Sequence, residues 1–224
     1  MTPEQLRAQI QQKGSFLCVG LDPDPTRIPR FLFENYHDPI LEFNRRIIEA
    51  TAPYAVAYKP NLAFFEALGQ KGWETLARTV ELLPEGTLSI ADAKRGDIGN
   101  TARCYAEAFF KELNFDAITV APYMGQDSVA PFLEYEDKWV FLLALTSNAG
   151  AQDFQWYGPE AEPLYKKVVE KAESWAAGLP GHLGYVVGAT RPEYLQEIRS
   201  LAPEACFLVP GVGAQGGNVA DVAT

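Results

Sequence analysis

The 224-residue sequence predicts an α/β fold, a TIM (β/α)8 barrel whose eighth unit is missing from the chain as given. Three observations carry this expectation. Short β-rich apolar runs recur along the whole chain. Each is nearly continuous in apolar residues, as a parallel strand covered on both faces must be. A helical pattern follows each run, which is the βαβα order of a parallel sheet.

The elements follow in chain order. MTPEQLRAQIQQKG at the N-terminus reads as a polar amphipathic helix and not as a signal peptide. The predicted strands are Phe16–Asp22, Ala55–Asn61, Leu88–Lys94, Ala117–Tyr123, Val140–Ser147, Leu183–Thr190 and Cys206–Gly213. Each ends in Gly, Pro or a polar residue. Helices are expected over 39–51, 64–83, 102–113, 127–137, 162–177 and 192–201. In the stretch 102–113, Ala102, Tyr105, Ala106, Phe109, Phe110 and Leu113 make one apolar stripe. Pro192 suits the first turn of the last helix.

Residues 214–224 would begin a seventh helix. An eight-unit barrel needs about 250 residues, so a tail of roughly 40 more is expected beyond Thr224. An open seven-stranded sheet would leave its last edge bare. Residues 1–224 read as a single domain, with no linker, low-complexity segment or internal repeat.

Composition narrows the function. Nineteen Lys and Arg against 29 Asp and Glu give a net charge of −10, which repels phosphate backbones and argues against nucleic acid. A small phosphorylated ligand remains compatible, because a pocket can carry local positive charge. Cys18, Cys104 and Cys206 lie in apolar runs without a CxxC spacing, which suits buried thiols in a reducing cytoplasm. No apolar run is long enough for a membrane span. The expectation is therefore a soluble cytoplasmic protein with no membrane partner.

In such a barrel, polar residues at the C-terminal ends of strands face the active site. Those ends hold Asp22, Lys59 and Asn61, Asp92 and Lys94, and Ser147, with Gln215 just past the last run. For any one of them a solvated loop charge is an equal alternative; for the set it is not. ADAKRGDIGNT (91–101) is the sharpest feature. Asp92 and Lys94 stand at i and i+2 on a strand, so regular pleating sets them on one face. Asp97 follows in the turn before the helix. Carboxylates around Lys94 favour its ammonium form, a fixed cation and proton donor and a poor Schiff-base nucleophile. Lys59 is placed to pair with Asp92. A surface ion-pair network is the bland alternative, but exposed pairs add little stability. Burying such charges under a pocket suggests function. VPGVGAQGGN (209–218) is a glycine-rich turn able to cradle phosphate, with Gln215 as a further donor. His37 and His182 read as surface loop residues. No HExxH, GxSxG, GxGxxG or P-loop occurs, and no metal-ligand set is expected.

Taken together, FLCVGLDPDP (16–25), YKPNLAFFEALG (58–69), ADAKRGDIGNTA (91–102), ITVAPYMGQDS (118–128), LTSNAGAQDF (145–154) and LVPGVGAQGGN (208–218) resemble the orotidine 5′-phosphate decarboxylase family, in its bacterial branch with longer loops. The resemblance implies a TIM barrel, a homodimer with active sites at the subunit interface, orotidine 5′-phosphate as substrate, and neither cofactor nor metal. It implies that Lys94 protonates C6 of the pyrimidine and that Asp92 sits beside the substrate carboxylate. Asp97 would come from the partner subunit, with Ile98 and Thr101 near it. Lys59 would bind a ribose hydroxyl and Asp92, and Asp22 a ribose hydroxyl. Asn61 joins the substrate-binding set. Ser147 would meet the base, Gln215 the phosphate, and Pro210 would line the pocket. The family also carries an arginine on an eighth strand that grips the phosphate, beyond the last residue here.

Two other enzymes and one non-enzyme share parts of this pattern. A 3-keto-sugar-phosphate decarboxylase shares the Asp-x-Lys-x-x-Asp spacing but needs magnesium and an extra acidic residue, where this chain has Ala91 and Ala93. A class I aldolase would use Lys94 as a Schiff base. A non-catalytic nucleotide-binding barrel would have no need for the charge set.

Overall fold

A computed structural model describes residues 1–188 and 192–212. The chain begins with α1 (Pro3–Lys13), which Thr2 and Gln5 close in a reciprocal capping box. It continues through β1 (Leu17–Leu21), α2 (Arg30–Asn35), α3 (Pro39–Thr51), β2 (Ala55–Pro60), α4 (Leu62–Glu66), α5 (Gln70–Glu81) and β3 (Leu88–Arg95). Next come α6 (Gly99–Glu107), β4 (Ala117–Val120), α7 (Ala130–Leu133), β5 (Trp139–Leu145), α8 (Ala151–Phe154), α9 (Leu164–Ala176), β6 (His182–Val187), α10 (Pro192–Leu201) and β7 (Cys206–Leu208). The strands follow one another in the sheet in sequence order. The registered pairs β1–β2, β2–β3, β5–β6 and β6–β7 are all parallel. This is the βα order of a TIM barrel, with seven strands among the described residues.

The contacts group the chain into two compact units. The first comprises Met1–Ala93 with Glu107–Ile118. Its core includes Leu21, Ile48, Ala55 and Tyr58, against which Val19, Ile47 and Leu83 pack. Tyr58 is fully buried, and its hydroxyl donates to the Ile48 carbonyl at 3.1 Å. Lys13 ties α1 to this core by donating to the carbonyls of Ala52 and Ala55.

The second unit comprises Lys94–Ala106 and the described residues from Thr119 onward. Here β5 and β6 pair along their whole length, from Trp139–His182 to Leu145–Val187. Gly184 lets Phe141 and the Cys206 carbonyl come close, since a Cβ there would lie 2.6 Å from that oxygen. Tyr185 is buried and donates to Glu173 of α9 at 2.7 Å.

Several elements differ from the sequence expectation. The helix expected over 64–83 is two, because Gly69 turns the chain at φ 64°. Gly72 then lets α5 approach Phe65, whose carbonyl oxygen a Cβ would meet at 1.8 Å. The fourth strand stops at Val120, since Pro122 lacks a ladder donor and closes a turn that Gly125 completes. The helix expected over 127–137 shrinks to a 3₁₀ turn at Gln126–Ser128 followed by α7. Past α6 the chain widens to a π turn at Ala108–Glu112. His182 is not in a loop. It opens β6 and packs on Trp139, with ring centroids 4.9 Å apart. Cys104 is exposed rather than buried, because it lies on α6 opposite the buried Ala102 and Ala106. No described helix is long and apolar enough to cross a membrane.

Candidate active site

Seven of the described candidates stand in the C-terminal half of a strand or just past it: Asp22 after β1, Lys59 and Asn61 around the end of β2, Asp92 and Lys94 in β3, Ser147 after β5 and Pro210 after β7. Asp97 and Ile98 follow β3 in the loop, and Thr101 lies in the first turn of α6.

In the first unit, register brings four of them together. Gly20 pairs with Lys59, and Asn61 bridges to Asp92. The Asn61 N–H donates to the Leu21 carbonyl, next to Asp22, at 3.1 Å. Lys59 donates from Nζ to Asp92 Oδ2 at 2.9 Å. The two side chains are only 15% and 9% exposed, so water screens the pair poorly. Burial pushes the Lys59 ammonium toward neutrality, but the charge and hydrogen bond of Asp92, with help from Asp22, outweigh it. Its pKa is raised and the charge is held. Asp22 itself is exposed. Asn61 also has a structural task, since its Oδ1 accepts from the Ala63 N–H as the cap of α4.

In the second unit, Lys94 departs from extended geometry within β3. Its φ is 47°, in the left-handed region, so pleating does not determine the direction of its side chain relative to Asp92. Lys94 is exposed. Its N–H donates to Thr119 Oγ1 at 2.9 Å. Gly96 packs against Ala121, whose N–H donates to the Arg95 carbonyl at 2.7 Å. Asp97 is half-buried and accepts from the Ile98 N–H at 2.7 Å. Ile98, an apolar side chain, is 51% exposed, and Thr101 is exposed too.

Ser147 is exposed on the loop after β5. Gln155 clamps the residue before it: Oε1 accepts from the Thr146 N–H and Nε2 donates to Thr146 Oγ1, both at 2.8 Å. Gly188, at the end of β6, lies so close that a Cβ would be 3.0 Å from the Ser147 Cβ and N. A cavity of about 120 Å³ adjoins this loop, lined by Thr146, Ser147, Asn148, Trp156 and Tyr194 among others. Pro210 is half-buried just past β7. Gln215 lies outside the described residues.

Sequence reading passed over Thr119, Gln155 and Gly188. Thr119 sits inside an apolar run and Gln155 beyond the motif that drew attention to Ser147. Only Gly188, a glycine where a strand ends, carried a visible signal.

Comparison with known proteins shows the family. Residues 15–224 match the model of the orotidine 5′-phosphate decarboxylase / HUMPS family. The chain is 55% identical to the orotidine 5′-phosphate decarboxylase of Flavobacterium johnsoniae over 99% of its own length and 81% of that protein's. Among solved structures it resembles the OMP decarboxylase of Leishmania donovani, with a TM-score of 0.82 and 44% identity over 94% of this chain and 79% of that one. It also resembles the orotidine 5′-monophosphate decarboxylase of Methanocaldococcus jannaschii complexed with the inhibitor BMP. There the TM-score is 0.67 and the identity 27%, over 93% of this chain and 83% of that one. The chain belongs to the orotidine 5′-phosphate decarboxylase / HUMPS family, and its activity is that of the family's decarboxylases, a carboxy-lyase.

Proposed function

We propose that this chain converts orotidine 5′-phosphate to UMP and carbon dioxide, without metal or cofactor, at a site that two copies of the chain share. The observation that carries the proposal is the buried Lys59–Asp92 pair at the ends of β2 and β3. A buried pair gains little over an apolar pair of the same volume, because desolvation offsets the attraction. Its position at strand ends therefore suggests a role in chemistry. Residues 1–224 act as one domain in this reading.

The C6–carboxylate bond breaks and leaves its electron pair on C6, in the ring plane, where no adjacent π system accepts it. Stabilisation must come from charge already in place. The Lys94 ammonium supplies that charge and gives C6 a proton, becoming a neutral amine that solvent reprotonates. Asp92 lies beside the departing carboxylate, raising the ground state more than a transition state that is losing that charge. Lys59 keeps Asp92 ionised and in place, and with Asp22 and Asn61 binds the ribose. Ser147 meets the base, Pro210 lines the pocket, and Gln215 binds the phosphate. Binding energy from the phosphate holds the arrangement together. Lys94, Ile98, Thr101 and Ser147 are all exposed, so a ligand and a second subunit have access to them. Asp97 reaches the partner's site, and Ile98 is covered by it.

The test is turnover of orotidine 5′-phosphate, followed as loss of orotate absorbance, with and without a chelator. Wild-type protein turns over in both, and Lys94→Ala loses nearly all rate while keeping much of its UMP affinity. A Lys94→Ala variant with most of its rate would refute the proton donor. Loss of wild-type turnover on chelation would move the chain to a metal-dependent reaction.

A further inference from the structure

We infer that Thr119 is a positioning residue for Lys94: its hydroxyl holds the backbone of the proton donor in a conformation lysine does not otherwise keep. The inference rests on the role proposed above for Lys94.

Three described non-glycine residues have positive φ: Lys94, Asn114 and Asp137. Asn and Asp tolerate that region because their short polar side chains bond locally. Lysine has no such compensation. A strained backbone of this kind persists only where its surroundings over-determine it, and such residues cluster at functional sites.

The surroundings of Lys94 supply that determination from one direction. Thr119 is 1% exposed, in the middle of β4, where all four residues are buried. Its Oγ1 accepts the Lys94 N–H at 2.9 Å. In a regular parallel ladder that N–H would go to a backbone carbonyl. Here a side-chain oxygen takes it, which lets the chain turn at Lys94 without losing the bond. The next residue is pinned too, with the Arg95 carbonyl accepting from the Ala121 N–H at 2.7 Å. The Arg95 guanidinium lies over the Tyr105 ring at 5.3 Å. The peptide before the Lys94 Cα is thus held by Thr119, and the carbonyl one residue further on is held by Ala121, so the backbone on both flanks of Lys94 is anchored.

A donor that must meet a ring carbanion is sensitive to such aim. A misplacement of about 1 Å costs on the order of 100-fold. Thr119 touches no reacting atom in this account. It acts through the Lys94 backbone alone.

The test compares Thr119→Val, Thr119→Ala and Thr119→Ser in the full chain, with Lys94→Ala as reference. Valine keeps the shape and removes the acceptor; alanine admits water to the N–H; serine restores the hydroxyl. Thr119→Val and Thr119→Ala should lower kcat by on the order of 10- to 100-fold with KM and UMP affinity nearly unchanged, and Thr119→Ser should keep kcat within about threefold of wild type. Adding Lys94→Ala to Thr119→Val should cost no more than Lys94→Ala alone. A merely structural residue would lower the melting temperature and the folded fraction while leaving kcat per folded site intact. If kcat per folded site stays near wild type in both Thr119→Val and Thr119→Ala while Lys94→Ala is inactive, the positioning inference falls alone. If Lys94→Ala retains turnover, the reading of Lys94 falls and takes this one with it.

Discussion

Asp92 holds the charge of Lys59 across a buried 2.9 Å hydrogen bond, so neither residue can be removed cheaply. Lys59→Met leaves a carboxylate that is 9% exposed without its cation. Breaking one side of a buried pair typically destabilises by about 3–5 kcal/mol. We predict a loss toward the lower end of that range in urea unfolding, since Lys59 keeps some contact with water. The double variant Lys59→Met/Asp92→Leu should recover most of the stability, because an apolar pair fills the same space. It should recover none of the turnover. A double variant as unstable as the single one would show that packing, not charge, dominates there. At this scale the sequence spoke clearly about residue types and less clearly about directions. Lys59, Asp92 and Lys94 all stood out as charges ending apolar runs. The i, i+2 spacing of Asp92 and Lys94 stops predicting orientation at Lys94, because its φ of 47° leaves the extended region.

Among the elements, α3 carries a cluster of ion pairs around Glu42. Glu42 accepts from Arg45 at 2.9 and 2.7 Å and from Arg46 at 2.7 Å. The Arg45 hydrogen bonds, followed by that of Arg46, hold its carboxyl at about 2, against an ordinary 4.5. A carboxylate depressed in the folded state contributes stability above its unfolded value and loses it as pH falls through the folded one. The contribution of Glu42 is therefore whole above 4.5 and disappears between 4.5 and about 2. Glu42→Gln should lower the melting temperature at pH 6 and narrow its difference from wild type as pH falls to 2. An unchanged difference across that range would remove Glu42 from the acid response. The helix itself was legible from its periodicity. Short pieces such as α2, α4 and α8 were not, because four to six residues hold too little periodicity to read. The Gln155 clamp was invisible for another reason. Nothing in a loop sequence says that residue 155 returns to residue 146.

At the scale of the molecule, the proposal requires that each active site draw residues from two subunits. Mixing Asp97→Ala with Lys94→Ala chains should then restore activity that neither has alone, since a hybrid dimer contains one site with both residues intact. Subunit exchange is verified by mass or by differential tags, and activity is read on orotidine 5′-phosphate. No recovery with exchange established would place Asp97 in its own chain's site. The net charge of −10 belongs to this scale as well. Under the proposed function, an acidic surface around an anion-binding site requires local positive charge, which Lys59 and Lys94 would bring to the ends of their strands.

By itself the sequence determined the order of strands and helices, the family, and which side chains carry charge at the strand ends. These are encoded in short-range patterns: continuous apolar runs for parallel strands buried on both faces, a 3.6-residue stripe for helices, and dense motifs of polar residues after strands. The pairing of Lys59 with Asp92 was legible too, and the structure shows it at 2.9 Å. Only the tertiary structure decided that Thr119 takes the N–H of Lys94, and that Gln155 and Gly188 confine the loop of Ser147. Each of those contacts joins residues beyond the reach of a helical or strand repeat. Register between strands and the left-handed turn at Lys94 are set by packing across the fold, and no local pattern records them.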